Sequence, residues 1–292
     1  MIILQLNGGL GNQLFQYAAA LAASKKYHRP ILIETSMLQT DSLRNLEIDK
    51  LSIPGLAAYK HDNSLFECIL KFKVLKKVMF YFSRIFHLKF VYVEHSFNYD
   101  PNFFRAIKET KTIFLFGYFQ SYRYFTRIRR ELRASFLPNK ISDISKPLQK
   151  EIQESMSVSL HVRRGDYVSS KETNDFHGVC SLEYYDAAIS YIQNNVLNPT
   201  IYVFSDDLDW VQNNMQIPCS HVFVDHAFSN NHFDDFSLMM ACKHNIIANS
   251  SFSWWAAWLN DYPEKIVICP DKWFASKKIV TTDLIPEKWV SI

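Results

Sequence analysis

The chain lacks a dominant charge: 32 basic side chains stand against 29 acidic ones in 292 residues, a formal net of +3. A dedicated nucleic-acid binder would carry a larger basic footprint. It also lacks any apolar run of the ~20 residues that a membrane-spanning helix needs. The five cysteines, Cys68, Cys180, Cys219, Cys242 and Cys269, are odd in number and scattered, without disulfide-framework or metal-ligand spacing. They read as core thiols in a reducing compartment. The histidines do not cluster as zinc ligands do, and no G-x-S-x-G turn announces a serine nucleophile. No signal peptide is apparent either, since Met1 runs straight into a strand-like segment and a glycine loop. The expectation is a soluble cytoplasmic protein with no metal and no cofactor, long enough for one large or two medium domains.

What is present begins with a βαβ unit. Ile2 to Leu6 reads as a strand, Asn7 to Gln13 (NGGLGNQ) as a glycine loop, and a helix with apolar Leu14, Phe15, Ala18, Leu21 and Ala22 leads to a strand at Ile31 to Ile33. Such a loop lets a phosphate or sugar approach backbone N–H groups at a helix start. Gly9-x-Gly11 with Glu34 at the end of the second strand also suits a nicotinamide dinucleotide, but Leu14 fills the third glycine position and spoils close helix–strand packing. Asn12 and Gln13 offer amide donors and acceptors at the loop tip. Residues 69–90 form an amphipathic stretch with Lys73, Lys76, Lys77, Arg84 and His87 on one face. That face suits peripheral contact with an anionic membrane, or a core-packed helix whose basic side is solvated. After a strand at Ile113 to Phe116, the prolines and polar residues of Leu137 to Pro147 read as a linker between domains at 1–140 and 150–292.

The second half alternates strand and helix: Ser157 to Val162, Leu182 to Asn194, Ile201 to Phe204, Leu208 to Asn214, Val222 to Val224, Phe233 to Lys243, Asn245 to Ala248, Phe252 to Leu259 and Ile266 to Cys269. That pattern predicts an α/β fold with a parallel sheet wound on both faces, whose ligands sit beyond the carboxyl ends of the strands. Three motifs follow strands there. HVRRGDY places His161, Arg163, Arg164 and Asp166 together; guanidinium forks stay charged and grip phosphate oxygens bidentately. Gly165 lets the chain turn tightly, bringing Asp166 back over the same site. NSSFSWW opens a helix at which Ser250, Ser251 and Phe252 present N–H groups, and serine capping is compatible with that role. FSDDLD offers Asp207-x-Asp209 as a metal site, or Asp206 or Asp207 as a helix cap. Asp234 and Asp235 open a further helix, where an acid favours the helix dipole or accepts from a guanine edge.

Taken in order, GGLGNQLFQYA, GYFQSYRYF, HVRRGDY, FSDD and NSSFSWWAAWL resemble the bacterial α-1,2-fucosyltransferases of glycosyltransferase family 11 over roughly Ile3 to Trp289, with Leu38 to Val93 unlike them. The resemblance implies a GT-B-like fold of two Rossmann-like domains facing across a cleft, the first on the acceptor side and the second binding GDP-fucose. It implies inverting, metal-independent transfer of fucose to the 2-hydroxyl of a terminal galactose, on an oligosaccharide or a lipid-linked glycan. Arg163 then becomes the main diphosphate ligand, aided by His161, Arg164, Ser250, Ser251 and Phe252, with Asp235 as guanine reader. Gly11, Asn12 and Gln13 approach the donor sugar and acceptor. Asp166 is the candidate for activating the acceptor hydroxyl, or a carboxylate that merely holds the arginines; Glu172 is not at the spacing of the glutamate base of α-1,6 relatives. A metal-dependent transferase, a noncatalytic galactoside-binding module and a nicotinamide oxidoreductase remain the competing classes.

Overall fold

In a computed structural model, which describes residues 1–39, 44–54, 90–165, 168, 171–276 and 279–292, the chain divides into two compact units. Residues 1–136 with 282–284 form the first, and 137–281 with 285–292 the second. Asp166, the amphipathic stretch at 69–89 and the side chain of Glu172 lie outside the described residues. Among the described residues, no helix is long and apolar enough to cross a membrane.

The first unit holds four parallel strands: β1 (Ile2–Gln5), β2 (Ile31–Glu34), β3 (Val91–Val93) and β4 (Ile113–Phe116), in the order β2-β1-β4-β3. The helix Leu10–Tyr27 packs on them with Leu14, Phe15, Ala18 and Ala19 fully buried. Its aliphatic stretch and β1, buried at every position, are what parallel sheets covered on both faces require. The nicotinamide features find other uses. Leu14 is core, and the buried Glu34 accepts from Gln5 Nε2 and from the Ser36 N–H, both at 2.7 Å.

The second unit holds six parallel strands: β5 (Ser157–Val162), β6 (Thr200–Ser205), β7 (His221–Phe223), β8 (His244–Ile246), β9 (Val267–Cys269) and β10 (Val290–Ser291). Their order, β10-β9-β8-β5-β6-β7, is the doubly wound Rossmann order, with its reversal between β5 and β8. On β5 the sequence alternates polar and apolar, yet all six positions are buried. Val158, Leu160 and Val162 pack with Tyr185, Ile189 and Ile192 of the helix Leu182–Asn195, each such side chain contributing roughly 1.5–3 kcal/mol. The polar positions meet a buried network instead: Asn245 Nδ2 donates to Ser159 Oγ at 2.7 Å, and Asn260 Nδ2 donates to Asn245 Oδ1 at 2.8 Å. His161 stands at the top of this polar row, at the carboxyl end of the strand.

Candidate functional site

In a doubly wound sheet, strand loops leave in opposite directions at the reversal point, and a crevice opens there. Here the loop after β5 carries Arg163 and Arg164, and the loop after β8 carries Asn249 and Ser250. Neighbouring strand ends thus bring together the two motifs on which the sequence reading leans most.

Neither arginine is left to swing. Arg163 Nη1 lies 2.9 Å from Asp206 Oδ2, and Arg164 Nε donates to Asp207 Oδ2 at 3.0 Å. Both acids follow β6, the neighbour of β5 on its other side. The Arg164 guanidinium also lies 3.6 Å from the Trp210 ring centre, and its backbone N–H donates to Asp206 Oδ1 at 2.9 Å. Cation–π contact and the carboxylate fix the plane of the fork, which is what bidentate anion recognition needs. Gly165 also leaves room for Asp206: a Cβ there would stand 2.5 Å from Asp206 Oδ2. Asp207 does cap the helix Leu208–Asn214, accepting from the Trp210 N–H at 3.3 Å.

Across the reversal point the helix Ser251–Leu259 begins at Ser250, whose side chain makes no capping bond. The first N–H groups of the helix therefore have no side-chain cap, and the positive end of its dipole faces the crevice edge. Trp254 and Trp255 are fully buried and anchor the helix. Asn249 fixes the loop by donating to the carbonyls of His177 at 2.9 Å and Gly178 at 3.2 Å.

An aromatic wall adjoins. The half-buried Phe252 ring lies 6.0 Å from His161, 6.2 Å from His232 and 5.5 Å from Phe236. His161 is buried, its Nδ1 has no hydrogen-bond partner, and burial and then the Arg163 charge push its pKa down to about 4. It is a neutral ring at any working pH. Of the two acids that open the helix His232–Ala241, Asp234 is buried and accepts from the Ser142 N–H at 2.9 Å and the Asn230 N–H at 3.2 Å. Asp235 is only half-buried, and desolvation raises its pKa against the pull of the Ser229 hydroxyl and His232. Asp235 is the acid of the pair open to a ligand.

In the first unit, the glycine loop meets the loop after β4 at the reversal between β1 and β4. Gly8 takes the left-handed φ of 74°, and Gln120 Nε2 donates to Asn12 Oδ1 at 2.8 Å. Gln13 departs from its expected place at the loop tip. It is fully buried, its Nε2 donates to the Gly8 and Asn45 carbonyls at 2.9 and 2.7 Å, and its Oε1 accepts from the Glu47 N–H at 3.0 Å. Its amide braces the fold. Sequence reading missed Trp210 under Arg164 and Gln120 against Asn12. That FSDD follows the strand beside HVRRGDY was the one available signal for the Arg–Asp pairs.

The model of the family described as glycosyl transferase family 11 matches residues 1–292. An α-1,2-colitosyltransferase of Escherichia coli is 33% identical over 100% of this chain and 99% of its own length. The O-antigen biosynthesis glycosyltransferase WbnK of the same species is 30% identical over 98% and 99%. The murine galactoside 2-α-L-fucosyltransferase Sec1 is 24% identical over 89% of this chain and 64% of its own. Among solved structures, the α-1,6-fucosyltransferase NodZ soaked with GDP-fucose aligns with TM-score 0.50 at 15% identity, over 91% of this chain and 94% of that one. FUT1 of Arabidopsis thaliana in complex with GDP aligns with TM-score 0.51 at 12% identity, over 98% and 74%. The fold is accordingly GT-B-like, with two Rossmann-like units.

Proposed function

The chain belongs to glycosyl transferase family 11, and from that membership we propose that it transfers fucose from GDP-fucose to the 2-hydroxyl of a terminal galactose, inverting the anomeric carbon and using no metal. The observation that carries the reading is the pairing, at the reversal of the second sheet, of two braced arginines after β5 with an uncapped helix start after β8. As the glycosidic bond breaks, positive charge grows on the sugar ring and negative charge on the departing diphosphate. Arg163, Arg164 and the N–H groups at Ser250, Ser251 and Phe252 are preorganised donors for that charge, and such donors supply a large share of catalysis. Two guanidinium groups and a helix terminus compensate the diphosphate without a cation. Asp235 accepts the two donors of the guanine edge, beside the wall formed by Phe252 and His161. Gly11 and Asn12 approach the donor sugar and acceptor. The acceptor is a galactose-terminated glycan, free or lipid-linked, and the basic composition of residues 69–90 suits peripheral contact with an anionic membrane.

Incubation with GDP-fucose and a panel of galactosides, followed by linkage analysis of the product, tests the reading. Arg163→Ala should lower turnover at least about 100-fold, the scale of losing one oxyanion-type donor; near-normal turnover rejects its role. Chelator should leave the rate unchanged, whereas a metal held at Asp207 and Asp209 would make it fall. A second reading is favoured by the 33% identity to the colitosyltransferase: the transferred sugar is colitose, which is fucose without its 3-hydroxyl. Comparing kcat/KM for the two GDP-sugars decides between them.

A further inference from the structure

The near-neutral total conceals an uneven distribution of charge. The first unit carries 20 basic side chains and 11 acidic ones, the second 12 and 18. Within the first, residues 25–29, 105–111 and 127–133 hold ten basic side chains against two acidic ones, Glu109 and Glu131. The fold brings these three segments together. They belong to the end of the helix Leu10–Tyr27, the helix Phe103–Lys108 with the turn after it, and the helix Arg129–Ser135 with the turn before it. Lys26 Nζ stands 4.5 Å from the centre of the Phe104 ring, and Arg29 Nη2 donates to the Lys108 carbonyl at 3.2 Å. Lys25 Nζ lies 3.8 Å from Glu131, and the Tyr17 and Phe136 rings, 6.2 Å apart, join the same two helices. Residues 25–29 lead into β2 and residues 105–111 into β4, so this basic face lies at the amino ends of the strands.

Both acids are already taken within the face, Glu131 by Lys25 and Glu109 by Arg105 at 3.9 Å. Lys108, Lys111, Arg127 and Arg130 are exposed and meet no acid among the described residues. Like charges crowded together repel one another and weaken the compact state, so the face gains from an anionic partner outside the chain. Its charges are spread over three helices and do not converge, which matches an extended array of negative charge better than a single phosphate. The nearby rings of Tyr27 and Phe104 lie under Lys26, at 5.5 and 4.5 Å, and leave no bare platform for the stacked bases of a single-stranded nucleic acid. Pairing with the acidic second unit of another copy would run head to tail, a contact that extends into filaments unless its rotation closes. A lipid surface has neither difficulty, since lysine and arginine extend long apolar stems that carry their charges to headgroups.

We propose that this face docks the protein on a bilayer of anionic phospholipid. The surface is distinct from residues 69–90, and its role does not depend on which sugar the protein transfers. The helix Leu10–Tyr27 begins at the glycine loop and ends in the basic face. Its 18 residues span about 27 Å. A bilayer held at the amino ends of the strands therefore leaves the carboxyl-end loops of the first unit in water, open to a soluble substrate. Each basic residue close to an anionic surface strengthens binding about fivefold. The attraction is long-range and unspecific for headgroup structure, and salt screens it.

Cosedimentation with vesicles tests this, using phosphatidylcholine alone and an equimolar mixture of phosphatidylcholine and phosphatidylglycerol. Wild type should bind the mixed vesicles, ignore the neutral ones, and be released by added salt. The triple variant Lys108→Gln, Arg127→Gln, Arg130→Gln should bind the mixed vesicles at least about 100-fold more weakly. None of the three side chains braces the fold, so amide exchange at β1 and β4 should match wild type, as should any transfer to lactose in solution. Unchanged vesicle binding by this variant, or equal binding of wild type to neutral vesicles, overturns the proposal. If binding instead follows Lys73→Gln, Lys76→Gln and Lys77→Gln and is indifferent to the first triple, docking belongs to residues 69–90 and this face has no such role. An oligonucleotide held as tightly as the mixed vesicles at the same salt would make it a general polyanion site and overturn the lipid assignment. A wild type that transfers no fucose would end the reaction reading and leave the vesicle result intact.

Discussion

His161 shows how a single side chain in this site trades stability against pH. Its imidazole ends the buried polar row of β5 and is held neutral, with a pKa near 4 that burial and then Arg163 impose, Asp206 pulling the other way. The unfolded chain would titrate near 6.5. The folded value is the lower one, so the stabilisation is fully present above pH 6.5 and is lost as pH falls through 4. Between pH 7 and pH 4 this group should cost the second unit on the order of 3 kcal/mol. All six tryptophans lie in that unit, so their fluorescence reports its unfolding alone. Urea unfolding followed this way should show wild type losing stability over that range faster than His161→Phe, and parallel pH curves would refute the account. Other single residues were harder to read in the sequence. An amide in a glycine loop looks ligand-facing, and Gln13 is not, because its partners at Asn45 and Glu47 lie more than thirty positions away. The Arg–Asp pairs span 43 positions and are equally invisible without the strand order that creates them.

Elements were more legible than residues where local signals agreed. Leu208–Asn214 and Ile113–Phe116 occur at the bounds that capping and a short apolar, aromatic run suggest. The helix Lys146–Glu154 was hidden by Pro147, which reads as a linker but sits in the first helical turn, where proline loses no hydrogen bond. β3 and β10 are edge strands of three and two residues, too short to show a period. What no local signal shows is how the helix Ser251–Leu259 is fastened. Its C-cap Asn260 donates from Nδ2 to the Cys242 carbonyl and to Asn245 Oδ1, both at 2.8 Å, and accepts the Tyr262 N–H at 2.8 Å. Asn245 in turn reaches Ser159 on β5. Asn260→Ala would strand several buried groups at once, and should cost about 2–4 kcal/mol, since each unmet group forfeits roughly 1–3 kcal/mol. The same fluorescence measurement checks it; a loss below about 0.5 kcal/mol would mean that the network relaxes onto other partners.

For the molecule as a whole, the sheet orders matter most, because they decide which loops become neighbours, and they are the part that strand–helix alternation cannot supply. The route of the chain adds a second global feature, since residues 282–292 serve both units in turn. In the first unit, Asp283 accepts from the Tyr99 N–H at 2.9 Å and from Arg123 Nη1 at 3.0 Å, and Leu284 is fully buried. In the second, β10 pairs with β9, the Ile292 N–H donates to the Cys269 carbonyl at 3.0 Å, and Trp289 stands 5.5 Å from the Trp254 ring. Leu284→Ala should remove about 2–5 kcal/mol from the first unit through the cavity it leaves. Truncation after residue 281 should loosen both. A single unfolding midpoint is ill-defined for a two-unit chain, so amide hydrogen exchange is the suitable measurement, resolving opening segment by segment. Leu284→Ala should speed exchange within the first unit and leave β9 protected, while the truncated chain should lose protection in both units. If β9 keeps its protection after truncation, the last strand is an ornament of the second unit and no part of what holds its sheet.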